Sequence, residues 1–226
     1  MPSDLNDLLR QRRSIRAFTQ DPVDRHTVER LCNAARRAPS GANLQPGQFH
    51  VLTGSALTGL KTRLGQAVAD NTQIDLEYSY FPDVMPPELK DRQRKAGFAL
   101  YEALGIARRD VTGRRDQFAK NYRFFDAPVG IVVTINRDMG KGCFMDLGMA
   151  IMAFLLAAED ESLGASGIGA LANYGAIVHG HLELPQDEMV VCGIALGVPD
   201  KEAKVNQFRT ERLPLDAFTT FRGFDD

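Results

Sequence analysis

Ala127-Pro128-Val129-Gly130-Ile131-Val132-Val133-Thr134-Ile135 and Met189-Val190-Val191-Cys192-Gly193-Ile194-Ala195-Leu196 are the two stretches on which the fold turns. Each is a short apolar run rich in β-branched residues, which predicts a strand buried on both faces. Between them, Phe144 to Glu159 predicts a helix. Its apolar part, Leu147 to Ala158, is too short to cross a bilayer, so it is expected to be buried in the core, and no membrane partner is expected.

Working outward, Leu5, Leu8 and Leu9 predict a first helix that ends near Arg12. Asp24 is a suitable N-cap for a second, with Val28, Leu31, Cys32 and Ala35 on one stripe. Pro39 to Pro46 reads as a polar loop, Gln48 to Thr53 as a short strand, and Ala56 to Val68 as a helix with Leu57, Leu60 and Leu64 inward. Asn71 to Gln93 combines Pro82, Pro86 and Pro87 with Tyr78, Tyr80 and Phe81 and reads as a lid or binding loop. Ala96 to Arg109 is expected to be helical. After Gly197 the chain has no strong period, yet it carries Phe208, Leu213, Leu215, Phe218, Phe221 and Phe224. Such a tail must lie across its own domain or across a partner subunit. With no repeat or linker, residues 1–226 are expected to form one domain, with the tail from about residue 200.

Composition narrows the class. The chain has 226 residues, 44% apolar and 25% charged, with a net charge of −2. These proportions exclude a disordered chain and argue against a general nucleic-acid binder. Asp110 and Asp116 interleave with Arg108-Arg109 and Arg114-Arg115, so a solvated helix face accounts for those pairs. The three cysteines are far apart, His179 and His181 suit opposite sides of a helix, and no metal site is expected. The acidic, weakly apolar N-terminus does not read as a signal peptide, and the expected location is cytoplasmic.

Chemistry could sit in three places. Arg12-Arg13-Ser14-Ile15-Arg16 packs three cations and a hydroxyl into five residues, as a phosphate or carboxylate grip would; an internal ion pair with solvated arginines is the alternative. Ser40, Asn43 and Gln45 in the polar loop suit the edge of a heterocycle or a simple helix-terminal turn. Gly167-Ile168-Gly169-Ala170-Leu171-Ala172 matches a dinucleotide fingerprint, but Asp187 precedes rather than ends an apolar run, which argues against a Rossmann site. No nucleophile elbow, P-loop or zinc-protease motif is present, so an enzyme built on this chain needs a cofactor.

In this order these pieces resemble the FMN-dependent nitroreductase family, in its nitrobenzoate reductase and quinone reductase-like branch. The likeness rests on Arg12 to Phe18, Ala38 to Pro46, Tyr122 to Pro128, Asp146-Leu147-Gly148, Gly167-Ile168-Gly169, Val191 to Gly197, Val205-Asn206 and Arg212 to Leu215. It implies an α+β fold, a three-layer α/β/α sandwich with a central, mainly antiparallel sheet. It also implies a homodimer with an exchanged C-terminal arm and a flavin site shared between subunits.

By that resemblance Arg12, Arg13, Ser14 and Arg16 would hold the FMN phosphate, the ribityl chain and the N1/O2 edge, and Arg212 would return to the phosphate. Pro39, Ser40, Asn43 and Gln45 would reach the flavin from the other subunit. Ile168, Gly169 and Ala170 would lie against the ring, Arg123 near N1, and Arg209 beside Arg212. No catalytic acid or base is required. The implied reaction is ping-pong hydride transfer from NADH or NADPH through flavin N5 to a nitroaromatic or quinone, with Tyr78, Tyr80, Phe81, Phe124 and Phe125 lining the substrate pocket. Specialised flavin chemistry and non-catalytic flavin binding are the alternatives. The chain departs from many relatives at Gly47, where they carry Trp, at Met152, and over Ala170 to Asn173.

Overall fold

A computed structural model describes residues 4–224 of the chain. Four strands form one sheet in the order β1-β2-β4-β3, every neighbouring pair antiparallel: β1 Gln48–Leu52, β2 Val129–Asn136, β3 Gly164–Ile168 and β4 Glu188–Gly197. The two apolar runs are thus the central strands. An all-antiparallel sheet has no βαβ unit, so the glycine-rich Gly167 to Ala172 is not a Rossmann turn.

The sheet is covered on both sides. Val129, Ile131, Val133 and Ile135 alternate onto one face and pack with α2 (Arg25–Ala35) and α6 (Lys141–Asp160). Val132 and Val190 point the other way, toward α3 (Gly54–Ala69), α7 (Gly175–Leu182) and a 3-10 segment, Lys120–Asp126. Three layers result. A bulge in β4 sets Val133 opposite Cys192 but Thr134 opposite Val190, leaving Val191 as the extra residue. The inward positions accordingly change parity, from Met189 and Val191 to Ile194 and Leu196.

The first helix, α1, spans Leu5–Gln11 with Asp4 as its N-cap, and Asp24 caps α2 through Thr27 as expected. The region after α3 differs from expectation. Helix α4 starts at Pro87 and ends at Ala103, and a further helix, α5, spans Val111–Ala119. Three clustered prolines suggest a loop to Gln93, but Pro87 sits in the first turn, where its missing N–H costs nothing. Strand β3 carries no strand signal of its own, because Gly164-Ala165-Ser166-Gly167-Ile168 has almost no β-branched side chains.

Helix α6 also departs from expectation. It has 20 residues and is long and apolar enough by composition to cross a membrane. It lies instead against α2 and the sheet, yet only Leu147, Phe154 and Ala158 are buried, and Met145 is 70% exposed. The expected core helix therefore leaves an apolar face uncovered within one chain. The tail does the same. Val205 and Asn206 are buried, but α8 (Leu215–Phe218) and the residues after it stand away, with Phe218 80% and Phe224 75% exposed.

Candidate functional site

The arginine segment is held as an added edge. Extended backbone turns Ile15 into the core, where it fills the space above Gly164, and leaves Ser14 and Arg16 on the other side. Ile15 N–H donates to Ala165 O at 3.1 Å, and Thr19 N–H to Val198 O at 3.0 Å. Asn206, wholly buried, completes the clamp: its Oδ1 accepts from Arg16 N–H, and its Nδ2 donates to Ala17 O and Asp200 O, each at 2.8 Å.

Arg12, Arg13, Ser14, Arg16, Arg209 and Arg212 line one cavity of about 510 Å³, roofed by Ala96, Gly97 and Leu100 of α4. No carboxylate is among the described residues that line the cavity. Arg16 is largely buried and donates only weakly, to Ser14 O at 3.4 Å, with the Phe125 ring 5.9 Å below. Burial lowers its pKa. Arg12 Nε is buried with no hydrogen-bond partner, and its pKa is lowered by burial first and then by Arg212. Arg209 Nη1 donates to Arg10 O, and Arg212 Nη1 to Thr210 Oγ1 at 2.8 Å. Glu159, at the end of α6, is the nearby carboxylate. Burial raises its pKa, while Arg13, Arg12 and Arg209 oppose the rise. Desolvated, crowded cations with an orphaned N–H are what a dianionic phosphate would satisfy. The residues present therefore fit a phosphate-bearing cofactor. Glu159 does not stand out in the sequence, and Asn206 appears there only within the Val205-Asn206 pair, with no role attached, because nothing local marks a residue whose role depends on a segment distant in the chain.

The polar loop lies elsewhere. Pro39, Ser40 and Gln45 border a separate cavity of about 200 Å³ beside Asp146 on α6. Ser40 Oγ accepts from Gln45 N–H at 2.9 Å, Gln45 Nε2 donates to Asn43 O at 3.2 Å, and Gly41 N–H donates to Asp146 Oδ2 at 3.0 Å. Asp146 and Glu159 stand thirteen residues apart on one helix, about 20 Å at 1.5 Å per residue. Within one chain, the loop and the arginines do not meet.

Ile168 is buried at the end of β3, and Gly169 opens a 3-10 turn through Asn173. The Tyr80 ring lies against Gly169, so close that an added Cβ would sit 3.2 Å from Tyr80 Cε2. Tyr80 and Phe81 are exposed and stack edge-on at 4.8 Å. The other three aromatics expected in the pocket are placed differently. Tyr78 is half-buried on Phe144 and donates to Val191 O at 2.6 Å. Phe124 fills the hollow over Gly130 and Gly193, and Phe125 is buried beneath Arg16. Gly130 and Gly193, on neighbouring strands, leave a gap that the Phe124 ring closes, which is why Phe124 is not free to line a cleft. Arg123 is paired with Asp126 at 3.1 Å and is not among the arginines of the cavity.

No group of three or more His, Cys, Asp or Glu among the described residues could hold a metal. His179 and His181 each bond a different backbone carbonyl, of Pro185 and of Ala56.

A family model, described as the nitroreductase family, matches residues 9–198. The chain belongs to the nitroreductase family. It is 35% identical over 96% of its length to a chloronitrobenzene nitroreductase of Comamonas testosteroni, covering 96% of that protein. It is 32% identical over its whole length to a 4-nitrobenzoate reductase of Pseudomonas putida, covering 98% of that protein. Among solved structures, an FMN- and NADPH-dependent nitroreductase from Sphigopyxis sp. strain HMH superposes with a TM-score of 0.95 at 37% identity, over 98% of this chain and 100% of that one. The α+β sandwich implied by the sequence motifs is therefore the fold of this family member.

Proposed function

We propose that this chain is an FMN-dependent NAD(P)H oxidoreductase that reduces electron-poor aromatic compounds, nitroaromatics first, with quinones as further oxidants. The observation that carries the reading is the cavity that gathers the guanidiniums of Arg12, Arg13, Arg16, Arg209 and Arg212, with Arg12 Nε buried and unbonded, within a fold whose relatives include nitroarene and nitrobenzoate reductases.

Arg12, Arg13, Arg16 and Arg212 hold the phosphate and the adjoining polar chain of the cofactor. Asn206 keeps the Arg16 backbone in place, and Glu159 neutralises part of the cluster when no phosphate is there. When bound, FMN supplies a two-electron carrier that a nicotinamide reduces and an oxidant reoxidises in alternation. Gly169 and Ala170 give the ring a flat backbone surface, and Tyr80 with Phe81 screens it from water and offers a stacking face to an aromatic oxidant. No side chain of this chain is assigned a proton-transfer step.

Ser40, Asn43 and Gln45 reach a flavin only if it belongs to a second copy, because the same chain's arginines lie about 20 Å along α6. The uncovered apolar face of α6 and the outstanding tail phenylalanines support the same arrangement, a homodimer with exchanged arms.

The decisive experiment is anaerobic mixing of purified protein with FMN and NADPH or NADH, then with a nitroaromatic. Bleaching of a bound yellow flavin and its recovery on adding the oxidant is the expected result. A colourless protein that takes up no FMN would overturn the reading.

A further inference from the structure

The largest cavity described, about 780 Å³, is lined by none of the proposed flavin-binding residues. It opens between the end of α3 and α5, walled by Tyr101, Phe118, Tyr122 and Tyr174, with Arg114 and Arg115 at its rim. The rings form an edge-on series, Phe118 to Tyr122 at 5.9 Å and Tyr122 to Tyr174 at 5.0 Å.

The arginines are the telling feature. Several exposed arginines pair with a carboxylate, as in Arg25–Glu29, Arg30–Glu161 and Arg137–Glu77. Arg114 and Arg115 have no such partner among the described residues. Arg114 Nε donates to Asp110 O at 3.3 Å, and Arg115 Nη2 reaches Asn71 Oδ1 at 3.4 Å. The neighbouring Asp110 is spent as the N-cap of α5, accepting from Gly113 N–H at 2.8 Å. Two guanidiniums with open forks, beside aromatic walls, suit a planar ring carrying an attached anion. The volume is that of a site for a nucleotide-sized ligand and is generous for a single substituted ring.

The cavity is also joined to the Gly169–Asn173 turn. Asn173 Nδ2 donates to Tyr122 Oη at 2.9 Å, and Tyr174 directly follows the turn. We infer that Arg114 and Arg115 bind the 2′-phosphate of a nicotinamide dinucleotide, with the adenine against the Phe118 and Tyr122 wall, and so make NADPH the preferred reductant. The inference rests on the proposed reductase activity and adds its reductant specificity. It gives a role to two basic residues whose sequence pattern alone suits a solvated face.

The test uses FMN-saturated protein titrated calorimetrically with 2′,5′-ADP, with 5′-AMP and with benzoate. Binding of 2′,5′-ADP, tighter than 5′-AMP, is expected, with a roughly ten- to hundredfold loss in the Arg114→Ala/Arg115→Ala variant. KM for NADPH should rise by a similar factor, while KM and kcat with NADH change little. Arg114→Lys/Arg115→Lys, which keeps the charges, should recover part of the affinity. Unchanged 2′,5′-ADP affinity in the alanine variant, tighter binding of benzoate than of 2′,5′-ADP, or equal responses of NADH and NADPH would each overturn the assignment while leaving the flavin reading intact. Failure to take up FMN would sink the flavin reading, and the same titration repeated on the flavin-free protein would still decide the arginine site.

Discussion

Asn206 Oδ1 accepts the backbone N–H of Arg16 at 2.8 Å, across 190 positions of sequence. The same amide donates to Ala17 O and Asp200 O. One buried side chain thereby ties the start of the chain to its tail and fixes how Arg16 enters the anion cavity. Asn206→Ala strands two part-buried backbone groups, Arg16 N–H and Asp200 O, while Ala17 O keeps its bond from Asp200 N–H, at about 1–3 kcal/mol for each left without a partner. Part of this is recovered by water, so a loss of roughly 2–4 kcal/mol in urea unfolding is expected. FMN affinity should fall about tenfold, because the arginine is no longer held. Asn206→Asp restores the acceptor but not the donor, and an intermediate loss is expected. Wild-type flavin affinity in Asn206→Ala would rule out the positioning role.

Alkaline pH should unfold the protein through two buried acids that touch the same strand. Burial pushes the Tyr78 phenol up to about 12, with Cys192 adding to it, and pushes the Cys192 thiol up to about 12. Both groups have folded values above their unfolded ones, which lie near 10 and 8.5. Their contribution is fully present below the unfolded values and is lost as pH rises toward 12. Melting temperature is therefore expected to hold steady to about pH 8 and then to decline through pH 9–12. Cys192→Ala should flatten the first part of that decline and Tyr78→Phe the last. Profiles parallel to wild type would contradict the assignment.

How much of this could be read in the sequence depends on how local each signal is. The two central strands were legible because burial on both faces writes itself as a continuous apolar run, and α2 because Asp24 and a 3.6-residue stripe agree. β3 was not, since it has few β-branched side chains and its Gly164 makes room for Ile15 from another segment. The arginine cluster was visible at Arg12 to Arg16, but that Arg209 and Arg212 share its cavity was not a local signal. Phe124 and Phe125 misled, because an aromatic pair before a strand looks the same whether it lines a cleft or is buried, Phe124 in the hollow above two glycines and Phe125 beneath Arg16. The exposure of α6 was illegible for a related reason: apolar composition does not say which faces of a helix its own chain covers.

Gly47, expected from the resemblance to depart from the family pattern, sits where the backbone itself favours glycine. Its φ is +93°, and an added Cβ would lie 2.6 Å from Leu147 Cδ1 and 2.9 Å from Thr134 O. Leucine can shift, but the strand carbonyl cannot without disturbing β2. Gly47→Ala is thus expected to cost about 2–3 kcal/mol, from left-handed strain together with the clash. A bulky residue such as Trp should cost more, unless Leu147 is cut back at the same time. Chemical denaturation of Gly47→Ala and of Gly47→Ala/Leu147→Ala checks this, and a neutral Gly47→Ala would show that the turn relaxes freely.

Glu77 holds the strap that carries Tyr80. β3 ends opposite Gly193, so the earlier part of β4 has an open edge. Glu77 closes it, accepting from Val190 N–H at 3.3 Å and pairing with Arg137 at 2.6 Å. Next to it, Tyr78 Oη makes its bond to Val191 O. Three residues from Glu77, Tyr80 lies on Gly169. Glu77→Ala removes both anchors and leaves Val190 N–H bare, for about 1–3 kcal/mol of stability. The sharper consequence is kinetic. With the strap loosened, Tyr80 no longer keeps a fixed place over the turn, so KM for an aromatic oxidant should rise severalfold while FMN affinity is unchanged, because no arginine of the cavity is touched. Glu77→Gln retains an acceptor for Val190 N–H and should fall between the two. Loss of FMN in Glu77→Ala, or an unaltered KM, would show that the strap does not set the oxidant's contact with the site.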